Sequence, residues 1–474
     1  MPPRPPTLRR ALPCRLTPVG VVLPLLAASG MAGACGGARV MRTPPAAPPL
    51  SDAMATFDSA WGIIARTYWD TTYNGVNWRA VRDTLRPRAA AARSTPELRG
   101  VLSDMLGRLG QSHFAIIPRE AVDGDAADAS VRGDASPGIT VRWVDGAPIV
   151  WRVDPGSPAA RAGIAPGALV AAIDGRPAGV AATPADSAVD PRRLAWQRVS
   201  AVHRRLAGPA GEPVLVTVDR DGTPRTVRLE RVPPPGRAVR FGNLPPVEAA
   251  VAVEQRRVDG RTIGVIRFNV WMPGIIPALD SAVDALREAD AIVLDLRGNP
   301  GGVVGMAMGL AGQFLDSLAP LGTMRQRGNT LRVVAFPRRV DTRQRLVTPF
   351  AGPLAIVVDE QSFSTSEIFA AGLQGLGRAR VFGVTTGGQA LPSVPEPLPS
   401  GDLLYHAIGD FTAVTGRPVE GPGVTPDVEV RLTRRALLAG EDPALDAAIR
   451  WGASASRARE PRPAFPSLSP RPFR

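Results

Sequence analysis

The sequence predicts a protein with an α/β core, preceded by a small helical region and a β-rich segment. Residues 260 to 432 alternate short apolar strands with helices, which predicts a buried sheet with crossover connections. Residues 52 to about 110 carry apolar residues at helical spacing, and residues 130 to 232 hold short β-rich runs between turns. The chain has 474 residues, 44% of them hydrophobic, which is enough for two or three domains.

The charge of the chain is concentrated at its ends. The formal net charge is +13, but residues 1–50 contain six arginines and no acid, and residues 455–474 contain five arginines and one glutamate. The part between them is close to balanced, whereas phosphate recognition needs a clustered basic face. We therefore expect no nucleic-acid partner. Every one of the 56 basic residues is arginine, so the chain contains no lysine.

The first 35 residues have the pattern of a signal peptide. An arginine-bearing start precedes the apolar stretch Val19–Met31, which is too short for a transmembrane helix. The small residues just before Cys35 resemble the bacterial lipobox, which implies lipidation of Cys35 and a membrane partner through a lipid anchor. The alternative is ordinary signal cleavage beside an incidental cysteine. Residues 36–51 are proline-rich and predict a semi-rigid tether, so we expect an exported protein on the periplasmic face of a bacterial cell envelope.

Two regions are expected before the core. Residues 52–118 predict a small helical cap that ends near Gly110 and leads into an adjacent serine and histidine. Residues 130–232 resemble a PDZ domain, with a strand, a Pro/Gly turn, a short helix and a second strand within 149–175. The resemblance implies that Gly138, Ile139 and Thr140 bind the end of a peptide added as a strand to the sheet edge. A purely structural β module remains the alternative.

The core is predicted to span residues 245–452, and two of its loops contain candidate catalytic residues. Asp295–Gly302, D-L-R-G-N-P-G-G, follows a strand, and its paired glycines can turn backbone N–H groups towards an anion, although a tight turn explains them equally well. Asp359–Ala371, D-E-Q-S-F-S-T-S-E-I-F-A-A, places serines at the start of a helix, where the N–H groups favour negative charge. Simple helix capping is the alternative for these serines.

Together these loops resemble the tail-specific serine peptidases, which include the carboxyl-terminal processing and tricorn-type enzymes. The resemblance extends from the helical region to G-R-P-V-E-G-P-G-V-T-P-D-V at Gly416–Val428. It implies a mixed sheet with helices of the ClpP/crotonase kind. It also implies that Ser364 is the nucleophile, and we expect the oxyanion hole from Gly301, Gly302 and Thr365.

The general base cannot be a lysine. Processing enzymes of the Ser-Lys type carry G-K-G where this chain has Gly-Gln-Ala at residues 388–390, and no lysine exists elsewhere. The tricorn-type resemblance implies instead a tetrad of Ser364, His113, Ser112 and Glu420, in which His113 is the base. The other two histidines, at positions 203 and 406, are expected to be structural.

The sequence therefore predicts a peptidase for unfolded polypeptides or peptides, with no metal and no organic cofactor. An imidazole base of ordinary pKa predicts activity that rises through roughly pH 6 to 7.5. A catalytically inactive peptide- or ligand-binding protein on the same fold is the alternative, because the fold resembles the repeats of a retinal retinoid-binding protein. A scaffold that acts through the PDZ-like module alone is a third possibility. Residues 453–474 predict a basic, disordered tail.

Overall fold

The structure, a computed structural model, describes residues 50–122, 135–179, 189–242 and 244–458. The predicted signal peptide with Cys35, nearly all of the predicted tether and the end of the predicted tail lie outside these residues. Among the described helices, none combines the length and the apolar character that crossing a membrane requires.

The N-terminal region consists of three helices packed around one another. They are α1 (Leu50–Thr67), α2 (Trp78–Ala90) and α3 (Thr95–Gly107), followed by strand β1 (Ala115–Ile117) and helix α4 (Arg119–Val122). The Asn77 side chain accepts from the N–H of Ala80, and the Ser94 side chain accepts from that of Glu97, which caps the starts of α2 and α3. Apolar side chains from all three helices form one core, and Leu404 from the C-terminal half of the chain joins it.

The β-rich segment folds into an antiparallel sheet with two helices. In chain order its elements are β2 (Ile139–Val144), β3 (Ala147–Val153), α5 (Pro158–Arg161), β4 (Leu169–Ile173), β5 (Arg176–Pro177), α6 (Pro191–Leu206), β6 (Pro213–Asp219) and β7 (Arg225–Glu230). The strand order is β2-β3-β4-β6-β7, and β5 pairs with β4. We call these elements the β-rich module. A short antiparallel pair, β8 (Arg237–Val239) and β9 (Val247–Ala249), follows it.

The remaining elements form the α/β domain, which contains both candidate loops. The helices are α7 (Ile276–Ala285), α8 (Val304–Ala311), α9 (Thr365–Gly375), α10 (Arg434–Leu438) and α11 (Pro443–Arg457). The strands are β10 (Val251–Val258), β11 (Arg261–Phe268), β12 (Ala291–Asp295), β13 (Ala319–Gln326), β14 (Asn329–Ala335), β15 (Leu354–Val358), β16 (Arg380–Gly383), β17 (Ser393–Pro397), β18 (Leu403–Ala407), β19 (Gly409–Ala413) and β20 (Val428–Glu429). Helix α11 continues past residue 452 and buries Ala453, so the predicted start of the tail at 453 is too early.

The central sheet positions the two candidate loops. Its strand order is β10-β11-β12-β15-β16-β20, with β10 antiparallel and the others parallel. Strands β12 and β15 are neighbours and buried along their whole length, because helices α7, α8 and α9 cover one face and α11 covers the other. The carboxyl ends of parallel neighbours meet at the same edge. The loops that follow β12 and β15 therefore lie side by side, in the α/β core that the sequence predicted.

Two smaller antiparallel sheets complete the domain. Strand β1 of the N-terminal region pairs with β18, which pairs with β17. This sheet brings the end of the helical region against the α/β domain. Strand β13 lies between β14 and β19 in the other sheet.

Candidate active site

The chain reverses sharply at Ser364 between strand β15 and helix α9. Ser364 has φ 54° and ψ −118°, a conformation that costs a non-glycine residue energy and has to be held by its surroundings. The N–H of Ser364 donates to the carbonyl of Gln389 at 2.8 Å, which ties the turn to the loop after β16. A strained strand-to-helix turn of this kind presents a nucleophile at the end of a parallel sheet.

The glycine loop after β12 packs directly on this turn. A Cβ atom on Gly301 would lie 2.6 Å from the Cβ atom of Ser364, so only glycine fits there. The hydroxyl of Thr365 donates to the carbonyl of Gly302 at 2.7 Å and joins the two loops. The N–H of Gly301 donates to Asn299 Oδ1 at 3.0 Å in this structure, and its role as an oxyanion donor stays a prediction. Within the described residues, the N–H groups of Gly302 and Thr365 have no acceptor.

Ser112, His113 and Glu420 form a connected chain of hydrogen bonds. The Ser112 Oγ atom lies 2.6 Å from His113 Nδ1 and 2.9 Å from Glu420 Oε2. Glu420 also accepts from the backbone N–H groups of Ser112 at 3.0 Å and Ala390 at 2.8 Å. Since Ser112 is 308 positions from Glu420, this contact exists only in the folded chain. These three residues, which the resemblance assigns to one catalytic tetrad, therefore contact one another in the structure.

The hydrogen bonds determine the tautomer of His113. The single hydroxyl proton of Ser112 faces the Glu420 carboxylate, which can only accept, so Ser112 Oγ accepts from His113 Nδ1–H. The other ring nitrogen, Nε2, then carries a lone pair and can accept a proton. Burial lowers the pKa of His113 to about 4, which keeps the imidazole neutral near pH 7. Burial raises the pKa of Glu420, and the hydrogen bonds from Ser112 and Ala390 oppose that rise.

A cavity of about 510 Å³ joins these parts. Its lining includes Ser112, His113, Phe363, Gln389, Tyr405 and Glu420. Phe363 directly precedes Ser364, so the nucleophile turn forms part of its wall. No hydrogen bond links His113 to Ser364 within the described residues. Hydrogen bonds between catalytic groups are often long before a substrate binds.

Sequence reasoning did not single out Glu367. This fully buried side chain accepts from the N–H groups of Ser364 at 3.0 Å, Gly388 at 2.8 Å and Gln389 at 2.9 Å, and from the hydroxyl of Thr386. Burial raises its pKa to about 7, and these four donors oppose that rise. The sequence feature that could have indicated Glu367 is an acid three positions after a helix-capping serine, which is the capping-box spacing. Glu367 thus binds the nucleophile turn to the loop that holds Gln389.

Sequence reasoning also missed that the β-rich module reaches the active site. Arg192 of helix α6 donates to the carbonyls of Thr386 at 2.7 Å, Gly421 at 2.8 Å and Pro422 at 2.8 Å. Asp190 holds the same guanidinium at 2.7 Å. These contacts clamp the start of α6 to the loop of Glu420. No local pattern in the sequence indicates them.

The predicted peptide-binding loop lies inside the module. Ile139 is only 5% exposed, and a Cβ atom on Gly138 would lie 2.3 Å from that of Ser157. At the edge of β2, the N–H of Val141 donates to His203 Nε2 at 2.9 Å. A peptide strand added at this edge would have to displace His203, which here has a structural role. Peptide binding by Gly138, Ile139 and Thr140 stays a prediction.

The third histidine is also held in a structural environment. His406 is fully buried, with Nε2 3.0 Å from Glu396 Oε1 and Nδ1 3.4 Å from the hydroxyl of Thr67. These contacts join strands β17 and β18 to helix α1. As the sequence predicted, His406 takes no part in the catalytic chain of hydrogen bonds.

Comparisons with protein families agree with this geometry. Residues 262–430 match peptidase family S41, and residues 51–107 match the C1 domain of tricorn protease. The first match contains both candidate loops and Glu420, and the second contains helices α1 to α3. The helical region and the α/β domain are therefore matched by two different family models.

Relatives of the chain carry the names of processing proteases. The carboxyl-terminal-processing peptidase 3 of Arabidopsis thaliana, a chloroplast protein, is 25% identical over 79% of this chain and 68% of its own length. A protein of Staphylococcus aureus named "Probable CtpA-like serine protease" is 30% identical over 179 residues, or 35% of this chain. The matched region spans 33% of the length of that relative.

Solved structures share the fold. The photosystem II D1 C-terminal processing protease has a TM-score of 0.55 at 20% identity, over 85% of this chain and 98% of that chain. Mature CPAF has a TM-score of 0.52 at 16% identity, over 82% of this chain and 94% of that chain. Residues 262–430 are therefore similar to peptidase family S41, and the chain shares its fold with these solved structures.

Proposed function

We propose that this protein is a serine peptidase that hydrolyses unfolded polypeptides or peptides in the cell envelope through an acyl-enzyme. Ser364 is the nucleophile, His113 is the general base, and Ser112 with Glu420 orients the imidazole. The printed names of the relatives support a role in carboxyl-terminal processing.

The reaction follows from the hydrogen bonds. His113 Nε2 takes the proton of Ser364 Oγ while that oxygen attacks the peptide carbonyl, and the proton then passes to the leaving amine as the C–N bond breaks. The N–H groups of Gly302 and Thr365 are free to stabilise the oxyanion. Water then attacks the acyl-enzyme with His113 as base, releasing the carboxylate product and restoring Ser364.

One observation carries this proposal. Ser112 Oγ bridges His113 Nδ1 and Glu420 Oε2 at 2.6 and 2.9 Å, which leaves Nε2 with its lone pair, and His113 lines the same cavity as Phe363, the residue before Ser364. A protein that only binds peptides has no need of an oriented imidazole beside a strained serine. This argues against the inactive alternative.

A fluorophosphonate probe tests the nucleophile. We expect the wild-type chain to be labelled and to cleave an unfolded polypeptide, and Ser364→Ala to lose both properties. Ser454→Ala is the control, since Ser454 is an exposed serine of helix α11. Equal labelling of wild type and Ser364→Ala would reject the assignment. A wild-type chain that binds peptides but is neither labelled nor active would favour the inactive binding protein.

The envelope location is tested separately through Cys35. We expect metabolic labelling with a palmitate analogue in a bacterial host, membrane recovery of the wild-type chain, and loss of both in Cys35→Ser. Unchanged membrane recovery of Cys35→Ser would show that Cys35 is not the anchor.

A further inference from the structure

Helix α6 of the β-rich module forms part of the wall of the catalytic cavity. Arg193 and Trp196 both line this cavity, and they share one face of the helix because they are three positions apart. The ring of Trp196 meets that of Phe363 edge-on, with centroids 6.0 Å apart and planes at 85°. The module therefore contributes side chains within reach of a substrate at Ser364.

Arg193 is the only arginine among the described residues that line this cavity. The Asp190 carboxylate is held by Arg192 at 2.7 Å, and Glu420 is held by Ser112 and Ala390. The guanidinium of Arg193 is exposed at the rim and makes no hydrogen bond or ion pair with any described residue. A guanidinium that makes no hydrogen bond or ion pair at the entrance of this cavity can bind a ligand.

We propose that Arg193 binds a carboxylate of the substrate, so that the enzyme favours peptides with a negative charge close to the scissile bond. The proposal rests on the peptidase function proposed above and names the class of its substrates. A planar guanidinium binds a carboxylate through two parallel hydrogen bonds, which confers orientation as well as charge recognition. The aromatic wall of Trp196, Phe363 and Tyr405 would pack against the apolar residues beside that charge.

The size of the cavity limits where this carboxylate can be. A volume of about 510 Å³ accommodates only a few residues of an extended chain, which advances roughly 3.3 Å per residue. Because Arg193 lines the same cavity as Phe363, the residue before Ser364, we place the charge within a few positions of the cleaved bond. It is either the C-terminal carboxylate of the substrate or the side chain of an aspartate or glutamate, since both offer Arg193 the same group.

Arg193 has one competing role that the experiment must separate. Its charge lowers the pKa of Glu420, although burial, the larger effect, raises that pKa. If Arg193 acted only on Glu420, its loss would slow every substrate equally. If it binds the substrate, its loss affects only substrates that carry the carboxylate.

The test uses one peptide sequence in three forms: with a free C-terminus, with a C-terminal amide, and amidated with one internal aspartate near the cleaved bond. We expect Arg193→Gln to lower kcat/KM for a carboxylate form by roughly tenfold to a hundredfold, as loss of one charge-assisted hydrogen-bonded pair does. The amide form should change less than about twofold by the same reasoning. Which carboxylate form is affected identifies the source. Arg204→Gln, an exposed arginine of the same helix outside the cavity, is the control.

Binding provides a readout that does not depend on catalysis. In the full chain with Ser364→Ala, fluorescence anisotropy should show tighter binding of a carboxylate peptide than of its amide, and adding Arg193→Gln should remove that difference. Equal losses for all three peptide forms, or no preference for carboxylates in this binding assay, would overturn the proposal. If the fluorophosphonate probe does not label the wild-type chain, that result counts against the peptidase function. The binding assay still decides the role of Arg193.

Discussion

Burial determines the charge state of His113 more strongly than Glu420 does. The imidazole has φ 62°, lies in the catalytic cavity and donates through Nδ1 to Ser112. The carboxylate of Glu420 is reached only through that serine hydroxyl. Desolvation therefore lowers the pKa of His113 to about 4.

The first prediction is a pH profile. A base must be neutral to accept a proton, and protonation of His113 begins only as the pH approaches its lowered pKa of about 4. We expect kcat/KM of the wild type to stay on a plateau from neutral pH down to about pH 5 and then to fall. The fall in kcat/KM is thus expected below the range of roughly pH 6 to 7.5 that an imidazole of ordinary pKa predicts. The measurement is peptide hydrolysis from pH 4 to 9, with circular dichroism to confirm folding at each pH and Ser364→Ala as the background. A fall centred near pH 6.5 would contradict the burial argument.

The second prediction concerns Gln389. Its carbonyl accepts from Ser364 N–H and its own N–H donates to Glu367, so its backbone already orders the nucleophile turn. We expect Gln389→Lys to leave kcat unchanged or to lower it, because the proposed base is His113 and a buried ammonium is costly. Gln389→Met provides a matched side chain without charge. A gain of tenfold or more with lysine alone would identify a disabled Ser-Lys enzyme and reject His113.

Among the elements, the glycine loop after β12 depends on close backbone contact. Gly302 has φ 142°, and a Cβ atom there would lie 2.2 Å from the carbonyl oxygen of Trp271. Its own carbonyl accepts from the hydroxyl of Thr365, so movement of the loop would move the proposed oxyanion donors.

The third prediction is therefore that Gly302→Ala lowers kcat at least a hundredfold, about the effect of losing one oxyanion donor. The neighbouring variant Gly305→Ala is the control, since a Cβ atom there meets nothing within 4 Å and alanine favours the helix. Peptide hydrolysis measures both variants, and thermal unfolding checks that they are folded. Equal activity of the two variants would show that the loop tolerates the displacement.

Across the whole molecule, a buried ion pair joins the β-rich module to the nucleophile turn. Arg142 of strand β2 binds Asp359 at 3.0 Å, with side chains only 5% and 10% exposed. Asp359 also accepts from the N–H of Gly298 and thus contacts the loop after β12. Nearby, Arg152 binds the buried carboxylate of Asp295. Ion pairs between arginine and aspartate therefore connect the β-rich module to the loop after β15 and to strand β12.

The fourth prediction is that Arg142→Met destabilises the protein by about 3 kcal/mol, because it leaves the Asp359 carboxylate buried without its cation. Denaturant-induced unfolding measures the change, and activity should fall because Asp359 holds the turn before Ser364. Arg257→Met, an exposed arginine of edge strand β10, is the control and should change stability by less than about 0.5 kcal/mol. Equal stability of the two variants would show that the pair contributes nothing.

Local patterns in the sequence were sufficient for much of the fold. The alternation of strands and helices predicted for residues 260 to 432 is present, for example in β15, α9 and β16, because short apolar runs between turn residues have few alternatives once buried. The absence of lysine ruled out one type of base without any structure.

The sequence by itself determined the chemistry that was available: a serine at a strand-to-helix turn, an adjacent serine and histidine, and no lysine. Only the tertiary structure decided how those groups are connected. Ser112 meets Glu420 across 308 positions, and the amide of Gly301 donates to Asn299. From the β-rich module, Arg192 contacts the carbonyl of Gly421 and Arg193 lines the candidate cavity. The physical reason is that local sequence sets dihedral angles and side-chain types, whereas these contacts depend on strand order and on how separate layers pack.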